Sequence, residues 1–349
     1  MFKKSILIVI NDITSSGGTE RVAAFLANNF ASSGYKVTLL TLLYSGSSPY
    51  YSLNKDVNLE VLDSGNTIKI ASYLYSNRYD AIIPVSMGRL SFKVAIVHRA
   101  LRLKSQLILS EHVGFETSSS MVRKLKLLSY NLASDLVLLT DHDYALLHSK
   151  TSAKVSVIRN ATSFESICPT ELKDKEKVVL AVGRLTYQKA FEKLVDIWAE
   201  LPNHHGWKLR IVGDGEDRDT LQQLIRHKGA EDTIELKPAS KDIASEYRNA
   251  SLFAMTSRYE GLPLVLIESK SFGLAAISFD CKTGPRELIR NNVDGYVVDE
   301  DDYETFKARL LCLINNDEQR ETMQLAALSD SQNYSKDVVF EKWLNLLSR

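Results

Sequence analysis

Short apolar runs recur along the chain, separated by stretches in which apolar residues return every three to four positions. In the first half the runs fall at residues 6–10, 37–42, 59–62, 81–84, 106–109, 136–139 and 155–158. Helical patterns fill several of the gaps, as at 20–33 and 90–103. In the second half the runs at 178–182, 208–212, 233–236, 252–255 and 275–279 alternate with helices in the same way. A strand that is apolar at successive positions is buried on both faces, as in a parallel sheet covered by helices. Two such series predict an α/β protein with two doubly wound, Rossmann-like domains. The break falls within 160–177, where Ala161-Thr162-Ser163 is small and polar, Cys168-Pro169 interrupts regular structure and 171–177 is a charged run. The expected domains are residues 1–165 and 166–335. The tail, 336–349, reads as a helix with Val338, Val339, Trp343, Leu344 and Leu347 on one face.

Composition narrows the class. Of 349 residues, 44% are hydrophobic and 25% charged, which excludes a disordered or coiled-coil chain. Lys plus Arg total 43, as do Asp plus Glu, so a protein that coats nucleic acid through bulk positive charge is excluded. The charge is unevenly placed. Up to Glu165 there are 18 basic and 12 acidic residues, a net of +6, and the remainder carries −6. Two bodies with different partners would show this asymmetry, and so would drift in composition. The three cysteines, Cys168, Cys281 and Cys312, are widely spaced and form no disulfide framework or CxxC pair, which fits a reducing cytoplasm. The run at 6–10 is too short for a signal peptide and reads as a first strand. No stretch approaches the roughly 18 apolar residues of a membrane span.

Chemistry is expected where strands end and helices begin. After the first strand stands Ser16-Gly17-Gly18-Thr19-Glu20-Arg21. Two glycines permit a tight turn and close approach to a ligand, and a helix N-terminus suits phosphate. The spacing is not the GxGxxG dinucleotide fingerprint, which disfavours a dinucleotide oxidoreductase. Ser110-Glu111-His112 ends the fifth strand, and a His there can bond a sugar hydroxyl or carry a proton near neutral pH. In the second half, Val182-Gly183-Arg184-Leu185-Thr186-Tyr187-Gln188-Lys189 offers two cations at a strand exit. Cations at a helix start oppose its dipole, so a bound diphosphate accounts for them better than a solvated pair does. Val212-Gly213-Asp214-Gly215 is a further strand-to-helix turn, in which Asp214 is expected to cap the helix.

The most specific stretch runs from Ser257 through Arg258-Tyr259-Glu260-Gly261-Leu262-Pro263-Leu264 to Glu268. Pro263 suits a first helical turn, and the amides of Gly261, Leu262 and Leu264 would face an anion. Glu260 in the loop can reach a sugar hydroxyl, and Glu268 in the helix a ribose diol.

These residues resemble the Glu-x7-Glu motif of retaining glycosyltransferases with the GT-B fold, of family 4 in particular. The resemblance covers nearly the whole chain. It takes in the loop at Gly17, Ser110-Glu111-His112, Val182-Gly183-Arg184-Leu185 with Lys189, Val212 to Gly215, and Asp280-Cys281-Lys282-Thr283-Gly284-Pro285-Arg286-Glu287. It implies two Rossmann-like domains facing across a cleft, with the last helix crossing back to the N-terminal domain. It further implies catalytic roles for His112, Arg184, Lys189 and Glu260. Donor binding would fall to Gly17, Gly18, Gly183, Gly213, Gly261, Leu262, Pro263, Leu264 and Glu268. The expected substrate is a nucleotide sugar, with UDP-galactose or UDP-N-acetylhexosamines favoured and GDP-mannose open. The acceptor would be a cell-surface polysaccharide or lipopolysaccharide glycan, lipid-linked or free. No cofactor or essential metal is expected. Rival readings are a UDP-sugar 2-epimerase on the same fold and a non-catalytic nucleotide-sugar binding protein.

Two positions depart from the family pattern. Lys237-Pro238-Ala239 stands where Gly is usual near the base, and Ala190 replaces a common Gly. Asp141-His142-Asp143 looks like a metal-binding Asp-x-Asp but reads as a helix start capped by Asp141. The helical stretch 121–128 mixes Arg123, Lys124 and Lys126 with apolar residues. It reads as a core-packed helix with a solvated face, or as a peripheral contact with the inner face of the cell membrane.

Overall fold

The computed structural model describes residues 4–86 and 88–348. The chain divides into two compact units, Met1–Asn160 with Val339–Arg349, and Ala161–Val338.

The first unit runs β1 (Ser5–Asp12), α1 (Gly18–Ser32), β2 (Lys36–Leu43), β3 (Val57–Val61), α2 (Thr67–Ser76), β4 (Ala81–Ser86), α3 (Arg89–Ala100), β5 (Gln106–Glu111), α4 (Ser120–Tyr130), β6 (Asp135–Leu138), α5 (Asp141–Leu147) and β7 (Lys154–Val157). Its sheet has the order β3-β2-β1-β4-β5-β6-β7, with every paired neighbour parallel. Ile8 stands opposite Leu39 on one side and Ile83 on the other. Leu7 and Val9 pack with Ile70 of α2, Val94 of α3 and Tyr130 of α4 in one apolar core.

The second unit runs β8 (Val178–Val182), α6 (Phe191–Ala199), β9 (Lys208–Val212), α7 (Arg218–His227), β10 (Ile234–Lys237), α8 (Ile243–Asn249), β11 (Leu252–Met255), α9 (Leu264–Ser271), β12 (Ala275–Phe279), α10 (Pro285–Leu288), β13 (Gly295–Val298), α11 (Tyr303–Asn315) and α12 (Asp317–Ser331). Its parallel sheet has the order β10-β9-β8-β11-β12-β13. Both sheets therefore reverse direction of growth at their first strand. β13 was not expected from the sequence. It is four residues long and follows the polar Asn291-Asn292 turn, so it offers little period to read.

The last helix, α13 (Lys336–Leu347), joins the first unit from Val339 onward. The Phe340 ring meets Phe30 and Phe25 of α1 edge-on, at 5.1 and 6.5 Å. Its buried face is Val339, Phe340, Trp343, Leu346 and Leu347, whereas Val338, expected inside, is exposed. The segment between the units packs onto the second one. The Thr162 amide donates to Tyr334 O, and Ser166 bonds Ser331.

Buried charges tie the layers together. Lys126 of α4 is fully buried, and its ammonium lies 3.0 Å from the buried Glu111 carboxylate at the end of β5. Ser91 donates to the same carboxylate at 2.6 Å. This corrects the expectation that Lys126 lies on a basic surface. Of the three cations in α4 only Lys124 is exposed, and Arg123 is half-buried. In the second unit, Lys270 of α9 is buried between Asp294 and Asp330, at 2.9 and 2.6 Å.

Removing one partner of a buried pair strands the other charge. Lys126→Met is expected to destabilise the protein by about 3 kcal/mol or more, read from the denaturant midpoint. A loss below about 1 kcal/mol would contradict a structural role for the pair.

Candidate functional site

In an open parallel sheet, ligands bind beyond the carboxyl ends of the strands where the strand order reverses. In the second unit that place lies between β8 and β11. The loop after β8 carries Lys189 and the loop after β11 carries Glu260. Their side chains meet there, Lys189 Nζ to Glu260 Oε1 at 2.6 Å, with both groups largely shielded from solvent.

The surrounding backbone holds this pair in place. The Arg258 amide donates to Gln188 O at 2.8 Å, and Gln188 Nε2 donates to Tyr259 O at 3.0 Å. Thr256 Oγ1 donates to Ala190 O at 3.0 Å. Arg258 caps the same loop from outside, its guanidinium 3.9 Å from the centre of the Tyr187 ring and paired with Glu192. On the other side, the Glu260 amide donates to Lys282 O, and Thr283 Oγ1 donates to Gly261 O at 3.0 Å. Gly284 has φ +107°, and a Cβ there would stand 2.5 Å from Pro263. The loops after β8, β11 and β12 thus form one cross-linked rim. Cys281 is buried in it. Burial, with the Glu260 carboxylate close by, pushes its thiol up to about 12, so it stays a neutral thiol.

The loop after β9 is fixed to the same rim. The Leu185 amide donates to Asp214 O, and the Gly183 amide to Val212 O. A Cβ on Gly213 would stand 1.9 Å from Gly183 O, so only glycine allows this approach. Asp214 does not cap α7, as had been expected. The N-cap is Asp217, and Asp214 instead accepts from the Ala239 amide at 2.9 Å and pairs with Arg218. It ties the β9 loop to Lys237-Pro238-Ala239.

The expected diphosphate pair is divided. Arg184 is exposed and forms no ion pair among the described residues, whereas Lys189 is committed to Glu260. Ala190 is left-handed, with φ 51° and ψ 43°, which explains why glycine suits this position. The strain of about 1 kcal/mol is similar to the gain from burying its methyl, so Ala is tolerated. Pro263 is the N-cap of α9 rather than in its first turn. Leu262 and Pro263 are buried, and Leu264 starts the helix. Glu268 lies inside that helix, 3% exposed, and accepts from the Tyr247 hydroxyl at 2.9 Å. Nothing in the sequence pointed to Tyr247, which sits on another helix 21 residues away.

In the first unit, Gly17 precedes α1 with ordinary extended backbone (φ −78°, ψ 169°), and Gly18 opens the helix. The chain bends at Gly17, but neither glycine has a left-handed conformation. What crowds Gly17 is the Glu20 carboxylate, 2.2 Å from where a Cβ would stand. The loop is held by Asp12, which accepts from the amide and hydroxyl of Thr14. His112 follows β5, half-buried, with Nε2 2.9 Å from Ser110 Oγ and its amide bonded to Ser86 O. Desolvation lowers its pKa to about 4. At neutral pH the ring is uncharged, so it can share hydrogen bonds but does not carry a proton there.

Asp141-His142-Asp143 opens α5, but the cap is Thr140 rather than the expected Asp141, its hydroxyl accepting from the Asp143 amide. Asp141 pairs with Arg159, and Asp143 is buried and accepts from the Phe115 amide.

Residues 164–329 match the family described as Glycosyl transferases group 1. The chain is 41% identical to the amylovoran biosynthesis glycosyltransferase AmsD of Erwinia amylovora, over 98% of this chain and 99% of that protein. It is 27% identical, over 100% and 99%, to a Campylobacter jejuni protein. That protein is named as the α-1,4-N-acetyl-D-galactosaminyltransferase acting on GalNAc-alpha-(1->4)-GalNAc-alpha-(1->3)-diNAcBac-PP-undecaprenol. Among solved structures, HepE of Anabaena, in complex with UDP and glucose, superposes with a TM-score of 0.82 at 18% identity, covering 99% of each chain. The lipopolysaccharide outer core galactosyltransferase WaaB, in its apo form, does so with 0.77 at 18%, covering 98% of each. The fold is that of the GT-B glycosyltransferases.

The His112 environment has a measurable consequence. Its imidazole is expected to stay neutral from pH 8 down to about pH 5 and to titrate near 4 by NMR. The folded value lies below the unfolded one of about 6.5. The stability tied to the neutral ring is therefore complete above about pH 6.5 and is lost as pH falls from there toward 4. His112→Gln should flatten that slope, and an ordinary midpoint near 6.5 would contradict the account.

Proposed function

Since the chain belongs to the glycosyl transferases group 1 family, we propose that it moves a hexose or N-acetylhexosamine from a UDP-sugar to a hydroxyl of a growing bacterial cell-surface glycan, with retention at the anomeric carbon, as in family 4. The observation that carries this reading is the Lys189–Glu260 pair at the strand-order reversal of the second unit. The amylovoran and undecaprenol-linked names of the relatives support the glycan class, and the UDP complex of HepE supports the donor class.

Each side chain has a part in this scheme. Lys189 and the exposed Arg184 offer positive charge to the donor diphosphate. The amides opening α9 complete its cradle, beside the β8 and β9 loops that Gly183 and Gly213 let pack together. Glu260 accepts from hydroxyls of the transferred sugar, and Lys189 keeps it aimed. Glu268 accepts from the ribose diol. In its own unit, the neutral His112 is suited to a hydrogen bond with a sugar hydroxyl. The bond from the anomeric carbon to the diphosphate oxygen breaks, and the acceptor oxygen bonds that carbon on the same face. The departing diphosphate oxygen takes the acceptor proton. Glu260 is held by Lys189 and Glu268 is bonded by Tyr247, so neither is poised as a covalent nucleophile. Lys189 and Arg184 supply the charge that a metal supplies elsewhere, so the reaction needs none.

Purified protein with a UDP-sugar and a lipid-linked glycan acceptor tests this. Glu260→Ala and Lys189→Met should each lower kcat by about 10²–10³. The first-formed product should keep the donor's anomeric configuration by NMR, and EDTA should leave the rate unchanged. Full activity in Glu260→Ala would overturn the assignment, loss with EDTA would overturn metal independence, and turnover without acceptor would favour the epimerase.

A lipid-linked acceptor, as in the name of the Campylobacter relative, would bring the enzyme to an anionic membrane surface, and we propose such a contact. No helix among the described residues is long and apolar enough to cross a membrane. α3 packs between α2 and α4 in the first unit, and these helices expose Ile68, Tyr75, Met121 and Leu128. The exposed Lys69, Arg78, Arg99 and Lys124 lie on or next to them. Apolar and basic groups on one layer suit an anionic interface. Binding to vesicles containing phosphatidylglycerol is expected to fall at least tenfold, on the order of 1 kcal/mol per charge, when Lys69 and Lys124 become Glu. Equal binding would contradict the assignment.

A further inference from the structure

Glu268 sits in an unusual position for a group that must meet a ligand. It is 3% exposed, inside α9, so its orientation is set by the groups packed around it. The α9 backbone is anchored two residues later, where Lys270 is buried between Asp294 and Asp330. The carboxylate itself is contacted from α8 by Tyr247, whose hydroxyl donates to Oε2 at 2.9 Å.

Tyr247 has little freedom of its own. Its side chain is fully buried, and its ring stacks on Phe272 at 5.5 Å with an interplanar angle of 10°. Phe253 and Phe164 lie against it at 6.1 Å each. The end of its helix is clamped as well. The Lys175 ammonium donates to Ala250 O at 2.7 Å, Arg248 O at 3.0 Å and Tyr247 O at 3.3 Å. Burial lowers the Lys175 pKa to about 7, so it serves here as a hydrogen-bond donor to carbonyls that have no partner in the helix rather than as a fixed charge.

We propose that Tyr247 is a positioning residue for nucleotide recognition, its hydroxyl fixing the Glu268 carboxylate toward the ribose diol of the donor, with Lys175 holding the helix end that carries it. The inference rests on the assignment of Glu268 to the ribose. A phenolic O–H on one carboxylate oxygen fixes the plane in which this acceptor-only group meets two adjacent hydroxyls.

The test compares affinity for UDP with that for 2′,3′-dideoxy-UDP, which lacks the diol, by calorimetry on the full chain. Wild type should prefer UDP by about tenfold to a hundredfold, as hydrogen bonds to a charged acceptor do. Tyr247→Phe should cut that preference to about threefold or less and raise KM for the UDP-sugar more than it lowers kcat. Its affinity for the dideoxy compound should stay within about twofold of wild type, which general loosening of the site would not allow. Lys175→Met keeps the hydroxyl, guards against a Tyr247 variant that fails to fold, and should give an intermediate preference. A full UDP preference in both variants would overturn the role of Tyr247 while leaving the function intact. No preference in the wild type would overturn the ribose assignment of Glu268, and the inference with it.

Discussion

Lys189 and Glu260 meet because the second sheet grows outward in both directions from β8, so that β8 and β11 are neighbours although 69 residues separate their ends and starts. Adjacent loops at such a reversal diverge to opposite faces of the sheet and leave a crevice between them. A cation on one loop and a carboxylate on the other occupy that crevice at 2.6 Å. Everything else in the rim serves this placement. Thr256 and Gln188 lock the two loops together, Thr283 closes the β12 side, and the bare backbone at Gly213 lets the β9 loop come in. An ion pair this shielded is not held for stability alone, since the desolvation of its charges offsets much of the attraction. Its value lies in holding a carboxylate and a cation in fixed geometry at the reversal, where the proposed reaction has its leaving group.

The same device, a buried charge fixed by its neighbours, recurs away from that rim. Glu111 and Lys126 join the end of β5 to α4, directly before His112. Lys270 joins α9 to the turn before β13 and to α12, two residues after Glu268. Tyr247 then orders Glu268 by a hydrogen bond from an aromatic nest. The candidate side chains His112 and Glu268 are thus backed by interactions that stay in the protein interior, where they are strong and geometrically strict.

Much of this was legible in the sequence because parallel strands buried on both faces leave continuous apolar runs. Those at 178–182, 208–212, 252–255 and 275–279 coincide with the strands as folded. What was not legible depends on partners distant in sequence. Lys126 reads as one more cation on an amphipathic helix, and only Glu111 on a neighbouring strand reveals that it is buried. The period of the final helix reads Val338 as inward, yet the aromatic rings of α1 draw Phe340 inward and Val338 is exposed. Asp214 has the residue type and position of a cap, yet the Ala239 amide of the next loop claims it. Tyr247 carries no spacing signal, because its partner lies on a different helix.

The central claim is that the rim around Lys189 and Glu260 holds a nucleoside diphosphate. It is tested most directly by the melting temperature of the purified protein with UDP, GDP, ADP or NAD, each without metal, since a ligand that binds only the folded chain must raise it. The account predicts a rise with UDP that is lost in Lys189→Met. A rise with NAD alone, or none with any nucleotide, would contradict it.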